Sequence, residues 1–159
     1  ALWRLPILYV CENNQWQAFV HRRAAMAAES VAAHAAAFGI EGRTVDGNDV
    51  MAVETAARAA VETIRATGKP LLLELATYRL RGHYEPDDQS YVDAAELAHW
   101  QARDPIRLLQ QRLRDVGQLE EHDFETIHRR ARERIERAVQ FAADSPFPAA
   151  AELLTDVYA

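Results

Sequence analysis

An α/β architecture built on a parallel sheet, followed by a C-terminal helical segment, is what this sequence predicts. Three observations carry that expectation. Two short apolar runs, Leu5 to Cys11 and Leu71 to Thr77, have the length and aliphatic content of sheet strands and are too short to span a membrane. Each ends abruptly in polar residues, Glu12-Asn13-Asn14 in one case and Tyr78-Arg79-Leu80-Arg81-Gly82-His83 in the other. Between them lie helix-favouring stretches and a brief third strand, and the order strand, helix, strand, helix, strand predicts parallel pairing with right-handed crossovers.

The elements follow in order. Leu5 to Cys11 reads as a fully buried strand. Gln15 to Arg23 mixes basic and small residues without alternation and reads as a loop. Ala24 to Phe38 is alanine-rich and reads as one helix, with Gly39 as its stop. Arg43 to Asp46 is a short strand, and Asp46-Gly47-Asn48-Asp49 carries turn and cap chemistry. Val50, Val53, Ala57, Val61 and Ile64 then recur at helical spacing until Gly68-Lys69-Pro70. After the Leu71 strand, Arg79 to Val92 is a polar loop with Gly82 and Pro86 and few apolar residues to pin it. Asp104-Pro105 opens a helix whose one face is Ile106, Leu109, Leu113 and Val116, closed by Gly117. A longer helix runs from about Glu120 to Ala143, with Phe124, Ile127, Ala131, Ile135, Ala138 and Ala142 in register. The expected organisation is therefore an α/β part over residues 1–92, including the 79–92 loop, and a helical extension of the same domain over 93–159.

Composition narrows the function classes. A chain of 159 residues can bury one real core. Its net charge of −6 argues against general nucleic-acid binding, which needs a basic surface. Cys11 is the only cysteine, so no internal disulfide forms, which fits a reducing compartment. Arg4 and Pro6 interrupt the opening apolar run and no small-residue cleavage site follows, so no signal peptide is expected there. The histidines His21, His34, His99, His122 and His128 show no zinc-ligand spacing with one another or with Cys11.

Two clusters can carry chemistry. The Asn13-Asn14 pair sits where an open α/β sheet binds ligands, at the carboxyl end of a strand, and amide oxygens are hard neutral ligands suited to Mg²⁺ bridging a phosphate. An Asn-rich turn would have the same composition. At the end of the last strand, Arg79 and Arg81 share one face if extended, with His83 beside Gly82, and guanidinium with imidazole suits a diphosphate or carboxylate. Glu74 is a polar residue within the apolar Leu71 strand, fit either to support this site or to make a strand-edge hydrogen bond.

Four segments together resemble the alpha subunit of the thiamine-diphosphate-dependent 2-oxo acid dehydrogenases, the decarboxylating component of pyruvate, branched-chain 2-oxo acid and acetoin dehydrogenase complexes. They are YVCENN at Tyr9 to Asn14, GRTVDGNDV at Gly42 to Val50, PLLLELATYRLRGHYEPDD at Pro70 to Asp88 and DPIRLLQQRL at Asp104 to Leu113. The resemblance implies the C-terminal part of a parallel-sheet thiamine-diphosphate-binding fold. It implies thiamine diphosphate and Mg²⁺ as cofactors. The second Asn of the motif would hold the metal through its side chain and the residue two further on through its backbone carbonyl, here Asn14 and Trp16. His83 would reach the diphosphate and the active centre, with Arg79 in support. The family usually has a small residue and then Tyr after the Asn pair; here Gln15 and Trp16 stand there, and Gln17-Ala18-Phe19 departs further. A third metal ligand, an upstream Asp, lies outside this stretch in the family pattern.

The partners implied are the beta subunit of the same enzyme, the missing N-terminal part of the alpha subunit and a lipoyl-bearing acyltransferase component. Because the chain enters a strand soon after Ala1, it reads as the C-terminal portion of a longer subunit, either a fragment or a separately encoded piece, with a short N-terminal strand at a sheet edge as the alternative. Tyr84 stands where mitochondrial relatives carry a phosphorylatable serine, and Glu85 to Asp88 is closer to bacterial acetoin- and pyruvate-type relatives, so a bacterial cytoplasm is expected ahead of a mitochondrial matrix. A second reading stays open: a non-catalytic assembly domain that keeps the fold and has lost cofactor binding. The departures at 15–19 favour it, while Asn14, Arg79, Gly82 and His83 favour the catalytic subunit.

Overall fold

The structure, a computed structural model, describes residues 1–155. Its contacts separate into two units, one ending at Arg112 and one beginning at Leu113.

In the first unit a three-stranded parallel sheet has the order β1-β5-β4, from β1 (Leu8–Asn13), β5 (Leu71–Ala76) and β4 (Glu41–Asp46). The last strand in sequence is therefore the central one. Leu71, Leu73 and Leu75 alternate on one face of β5 and meet Ala60 and Ile64 of α3 (Val50–Thr67), and this is the core, with Leu8, Val45, Ala56 and Ala57 packed around it. α3 forms where its sequence says it should. Asp49 caps it by accepting from the Met51 and Ala52 amides, and Gly68 ends it in the left-handed region at φ +64°. Its core face is centred on Ala60, while Val50 is left exposed.

Three expectations are corrected. The first strand is not fully buried. It begins at Leu8, lies at the edge of the described sheet, and exposes Tyr9 and Val10 by 46% and 55%. Pro6 has no N–H to pair, and the central place, with a neighbour on either side, belongs to β5.

The second correction concerns Ala24 to Phe38, which is not one helix. It breaks into α1 (Arg22–Ala25), α2 (Ala32–Ala35) and a 3₁₀ turn at Ala36–Phe38 that Gly39 stops at φ +67°. Helix propensity here loses to tertiary hydrogen bonds. Arg22 Nη1 donates to the Ala28 carbonyl at 2.9 Å, and the Ala32 amide, at the start of α2, donates to Glu74 Oε2 at 2.9 Å. α2 also passes so close to β4 that a Cβ on Gly42 would lie 2.2 Å from the Ala32 carbonyl oxygen.

The third is that Gln15 to Arg23 is more than a loop. It contains a small antiparallel hairpin, β2 (Trp16–Gln17) and β3 (Val20–His21), entered through Gln15 at φ +67°.

Beyond the Arg79 loop comes α4 (Ala94–Gln101), which the sequence reading passed over. Its signal was Asp93, whose carboxylate accepts from the Glu96 amide at 2.7 Å, ahead of the helix-forming Ala-Ala-Glu-Leu-Ala run. α5 (Pro105–Asp115) opens on Asp104 as expected, and crosses from the first unit into the second. In the second unit Gly117 (φ +67°) precedes α6 (Glu121–Asp144). A reciprocal cap between Glu120 and Asp123 starts that helix, and Ile127, Ile135 and Val139 on it are exposed.

Candidate functional site

The carboxyl ends of the three parallel strands bring together Asn13-Asn14, Asp46 to Asn48 and Thr77 to Arg79. Beneath them lies Glu74, only 1% exposed. Its carboxylate accepts from Asn13 Nδ2 at 2.5 Å, from the Ala32 amide at 2.9 Å and from Thr44 Oγ1 at 3.0 Å, so one side chain ties β1, β4 and α2 to β5. Burial opposes its ionisation. The Ala32 amide, the Asn13 side chain, the Val31 amide and the Thr44 hydroxyl outweigh that and hold its pKa below the usual carboxylate range. Asn48, 3% exposed, makes the matching link on the other side, accepting from Thr77 Oγ1 at 2.6 Å and donating to the Arg103 carbonyl at 2.8 Å.

Asn14 follows β1 directly, and its carbonyl accepts the Arg79 amide at 3.1 Å. Its side-chain oxygen accepts the Trp16 amide at 3.0 Å, and Asn13 Oδ1 accepts the Gln15 amide at 3.1 Å, so the pair does make an Asn-rich turn. That turn has a further consequence. The Arg22 amide donates to the Gln15 carbonyl at 2.8 Å, which makes Trp16–His21 the non-hydrogen-bonded rung of the hairpin. Trp16 therefore directs its carbonyl away from β3, to the same side as its amide, where Asn14 Oδ1 lies. One face of the turn thus carries two neutral oxygens, a donor set suited to a hard divalent cation.

Arg79 joins this turn to the following loop. Its Nη2 donates to the Ala18 carbonyl at 2.8 Å and to Tyr91 Oη at 2.7 Å, its Nε donates to the Arg81 carbonyl at 3.1 Å, and its Nη1 lies 3.4 Å from His83 Nδ1. The guanidinium also stands over the Trp16 ring at 5.8 Å. Arg79 is thus a strut more than an open fork.

The loop itself has more internal structure than its composition suggested. Asp87 accepts from Tyr91 Oη at 2.6 Å, from the His83 amide at 2.6 Å and from the Gln89 amide at 3.0 Å. The Tyr91 hydroxyl, with the Gln89 and His83 amides adding, holds the Asp87 pKa below its ordinary value against a smaller effect of burial. Gly82 is required here, because a Cβ on it would meet Asp87 Cβ at 2.6 Å. The imidazole of His83 is exposed and stands edge-on to Phe19, ring centres 5.7 Å apart.

These residues fit a diphosphate carried on a divalent ion. Asn14 Oδ1 and the Trp16 carbonyl offer the hard oxygens, and the Arg79–His83 pair offers cationic and donor character beside them. Among the described residues no group of three or more His, Cys, Asp or Glu could hold a metal ion.

A sequence model of the dehydrogenase E1 component matches residues 1–151. The chain belongs to that family. Three relatives illustrate it. The alpha subunit of acetoin:2,6-dichlorophenolindophenol oxidoreductase from Bacillus subtilis is 41% identical over 99% of this chain and 47% of its own length. The chloroplastic pyruvate dehydrogenase E1 component subunit alpha-3 of Arabidopsis thaliana is 39% identical over 100% of this chain and 37% of its length. The pyruvate dehydrogenase E1 component subunit alpha of Rhizobium meliloti is 37% identical over 99% of this chain and 45% of its length. The chain thus spans less than half the length of each of these relatives.

Within this E1 chain, Asn14, Trp16, Arg79 and His83 all come to one end of the sheet, joined by the Arg79–Asn14 backbone bond and by the Arg79–Ala18 contact. Arg81 makes no comparable side-chain link among the contacts that build the site. Sequence reasoning missed the supports: Asn13 as a buried tie, Asp87 with Tyr91, Asn48 with Thr77, and Phe19 against His83. The only legible signal was for Asp87, an acid four residues after a histidine in a loop with Gly82 and Pro86. No helix among the described residues is long and apolar enough to cross a membrane.

Proposed function

We propose that this chain is part of the alpha subunit of a thiamine-diphosphate-dependent 2-oxo acid or acetoin dehydrogenase, where it grips the Mg²⁺–diphosphate end of the cofactor. The observation that carries the reading is the shared face of the turn, Asn14 Oδ1 beside the outward Trp16 carbonyl, held next to Arg79. When bound, the thiazolium ring supplies the carbanion and electron-sink chemistry of oxidative decarboxylation or cleavage. The chain's own residues hold and orient. Asn14 and Trp16 ligate the metal. Arg79 locks hairpin 16–21 against the loop. His83, carried on the Asp87-supported turn, donates to the diphosphate or to a group at the reacting centre. The relatives named as alpha subunits support a beta subunit as partner. A further metal ligand from a part of the alpha subunit outside these residues, a lipoyl-bearing acyltransferase as acyl acceptor and a bacterial cytoplasmic location belong to the same reading.

Three expected results follow. The 159 residues alone show no decarboxylation and little cofactor binding, because the upstream Asp ligand and the beta subunit's contribution to the active centre lie elsewhere; turnover by the purified chain alone would overturn the heteromeric reading. In the assembled enzyme, amide exchange across 79–92 slows when Mg²⁺–thiamine diphosphate is added, since an anion draws on the free donors of Arg79 and His83 and stabilises the closed loop. His83→Ala lowers turnover tenfold or more while leaving the thermal midpoint within about 2 °C, because an exposed loop side chain contributes little to the core. Equal exchange rates in both states, in an assembly shown to bind cofactor, would remove the loop from the site.

A further inference from the structure

Behind the Trp16–His21 rung of the hairpin, three polar atoms are buried without a well-formed hydrogen bond: Trp16 Nε1, His21 Nε2 and Tyr78 Oη. The rings that carry them are packed together. Trp16 lies edge-on to His21 with centres 4.9 Å apart and edge-on to Tyr78 at 6.2 Å, and Tyr78, 6% exposed, stacks on Trp100 of α4 at 5.4 Å. Unpaired buried donors are costly, and a group of them calls for an acceptor.

One carboxylate stands there. Glu96, in the first turn of α4, accepts from Arg23 Nη2 at 3.1 Å, and its Oε1 lies 3.4 Å from His21 Nε2. The tautomer of His21 follows from its other nitrogen. Nδ1 accepts the Arg23 amide at 3.1 Å, so in the neutral ring the proton is on Nε2, facing Glu96. The Tyr78 hydroxyl stands between the Trp16 indole on one side and the Glu96 carboxylate on the other. Glu96 is therefore the acceptor toward which His21 Nε2, the Tyr78 hydroxyl and Arg23 are arranged, while the Trp16 indole faces the Tyr78 oxygen.

We propose that Glu96 is a positioning residue for the metal end of the site, gathering His21 and Arg23 from α4 and through the Trp16–His21 rung setting where the Trp16 carbonyl lies. This rests on the reading that Asn14 and Trp16 hold Mg²⁺. The lever is short. His21 is directly opposite Trp16 in the hairpin, and the Trp16 amide is bonded to Asn14 Oδ1, so a shift of the rung moves both metal oxygens. Mg²⁺ demands near-ideal octahedral geometry at about 2.1 Å and tolerates errors of only a few tenths of an ångström. Without the carboxylate, His21 Nε2 and the Tyr78 hydroxyl are left to recruit water and the rung loses its anchor.

The test uses the alpha subunit assembled with its beta partner. Mg²⁺ is titrated by calorimetry at fixed thiamine diphosphate for the wild type, Glu96→Ala, Glu96→Gln and Asn14→Ala, with turnover read at saturating Mg²⁺. Glu96→Ala should raise the Mg²⁺ concentration for half-saturation fivefold or more while saturated kcat stays within twofold. Glu96→Gln, which keeps an acceptor oxygen, should recover most of the shift. Should the alanine variant not assemble, Glu96→Asp, which withdraws the carboxylate by one methylene, should show the same displacement of half-saturation. Wild-type half-saturation in the Ala variant, or in the Asp variant where that one is read, overturns the proposal, including the case where only the thermal midpoint or the active fraction falls. An Asn14→Ala subunit that binds Mg²⁺ normally would instead overturn the metal reading of the site, and this inference with it.

Discussion

Glu74→Ala is expected to destabilise the first unit by about 3 kcal/mol or more, the largest effect of any single side chain discussed for this protein. The reason is the number of groups it leaves behind. Asn13 Nδ2, the Ala32 amide and Thr44 Oγ1 all donate to this one carboxylate, and Asn13 is itself buried. Each buried donor left unpaired costs about 1–3 kcal/mol, and truncation also leaves a void at the centre of the sheet. Glu74→Gln separates charge from shape: one oxygen becomes an NH₂ group and is forced to face a donor, so this near-isosteric change should also lose stability. The pH dependence has a definite sign. The folded-state pKa lies below the unfolded carboxyl value of about 4.3. The contribution is thus fully present above about pH 4.3 and is lost as pH falls through the folded-state value. Denaturant melts of both variants across acidic pH provide the measurement. A Glu74→Ala midpoint equal to wild type at pH 7 would show that the hydrogen-bonded hub adds nothing.

Asn14→Ala in the assembled enzyme is expected to weaken Mg²⁺–thiamine diphosphate binding at least tenfold, about 1.4 kcal/mol or more. Removing the amide deletes a first metal ligand and also the acceptor for the Trp16 amide, which holds the second ligand in place. The same substitution should leave the thermal midpoint of the cofactor-free protein nearly unchanged, because Asn14 is only half-buried and its backbone bond from the Arg79 amide survives. Calorimetric titration with cofactor reads the first quantity and a melt without it reads the second. Unchanged affinity would remove Asn14 from the site, and a large fall in the midpoint would reassign it to folding.

The amide pair shows why the site was only partly legible. Asn13 and Asn14 were visible as a pair at a strand end, but their division of labour was not. Asn13 turns inward to Glu74 and Asn14 stays at the turn, a difference set by strand alternation and by a partner 61 residues away. The contacts that tie the Arg79 loop to hairpin 16–21 were likewise invisible, because the Ala18 carbonyl and the Phe19 ring meet Arg79, His83 and Tyr91 only once the two segments are packed together. His21 looked unremarkable as an isolated histidine, yet the fold sets it edge-on to Trp16 and opposite Glu96.

Local chemistry alone determined the strands β4 and β5, α3 with its Asp49 cap and Gly68 stop, the Asp104-Pro105 helix start and the family motifs, because each of these is decided within a few residues of chain. Tertiary structure decided the rest. It made β5 the central strand and left β1 at the edge of the described sheet, since strand order depends on which neighbours are available. It broke the alanine-rich stretch into short turns, because a buried Glu74 carboxylate binding the Ala32 amide outweighs several tenths of a kcal/mol per residue of helix propensity. It also turned the Trp16 carbonyl away from β3, since the side a backbone oxygen faces is set by hydrogen-bond pairing across a hairpin and not by the residue that carries it.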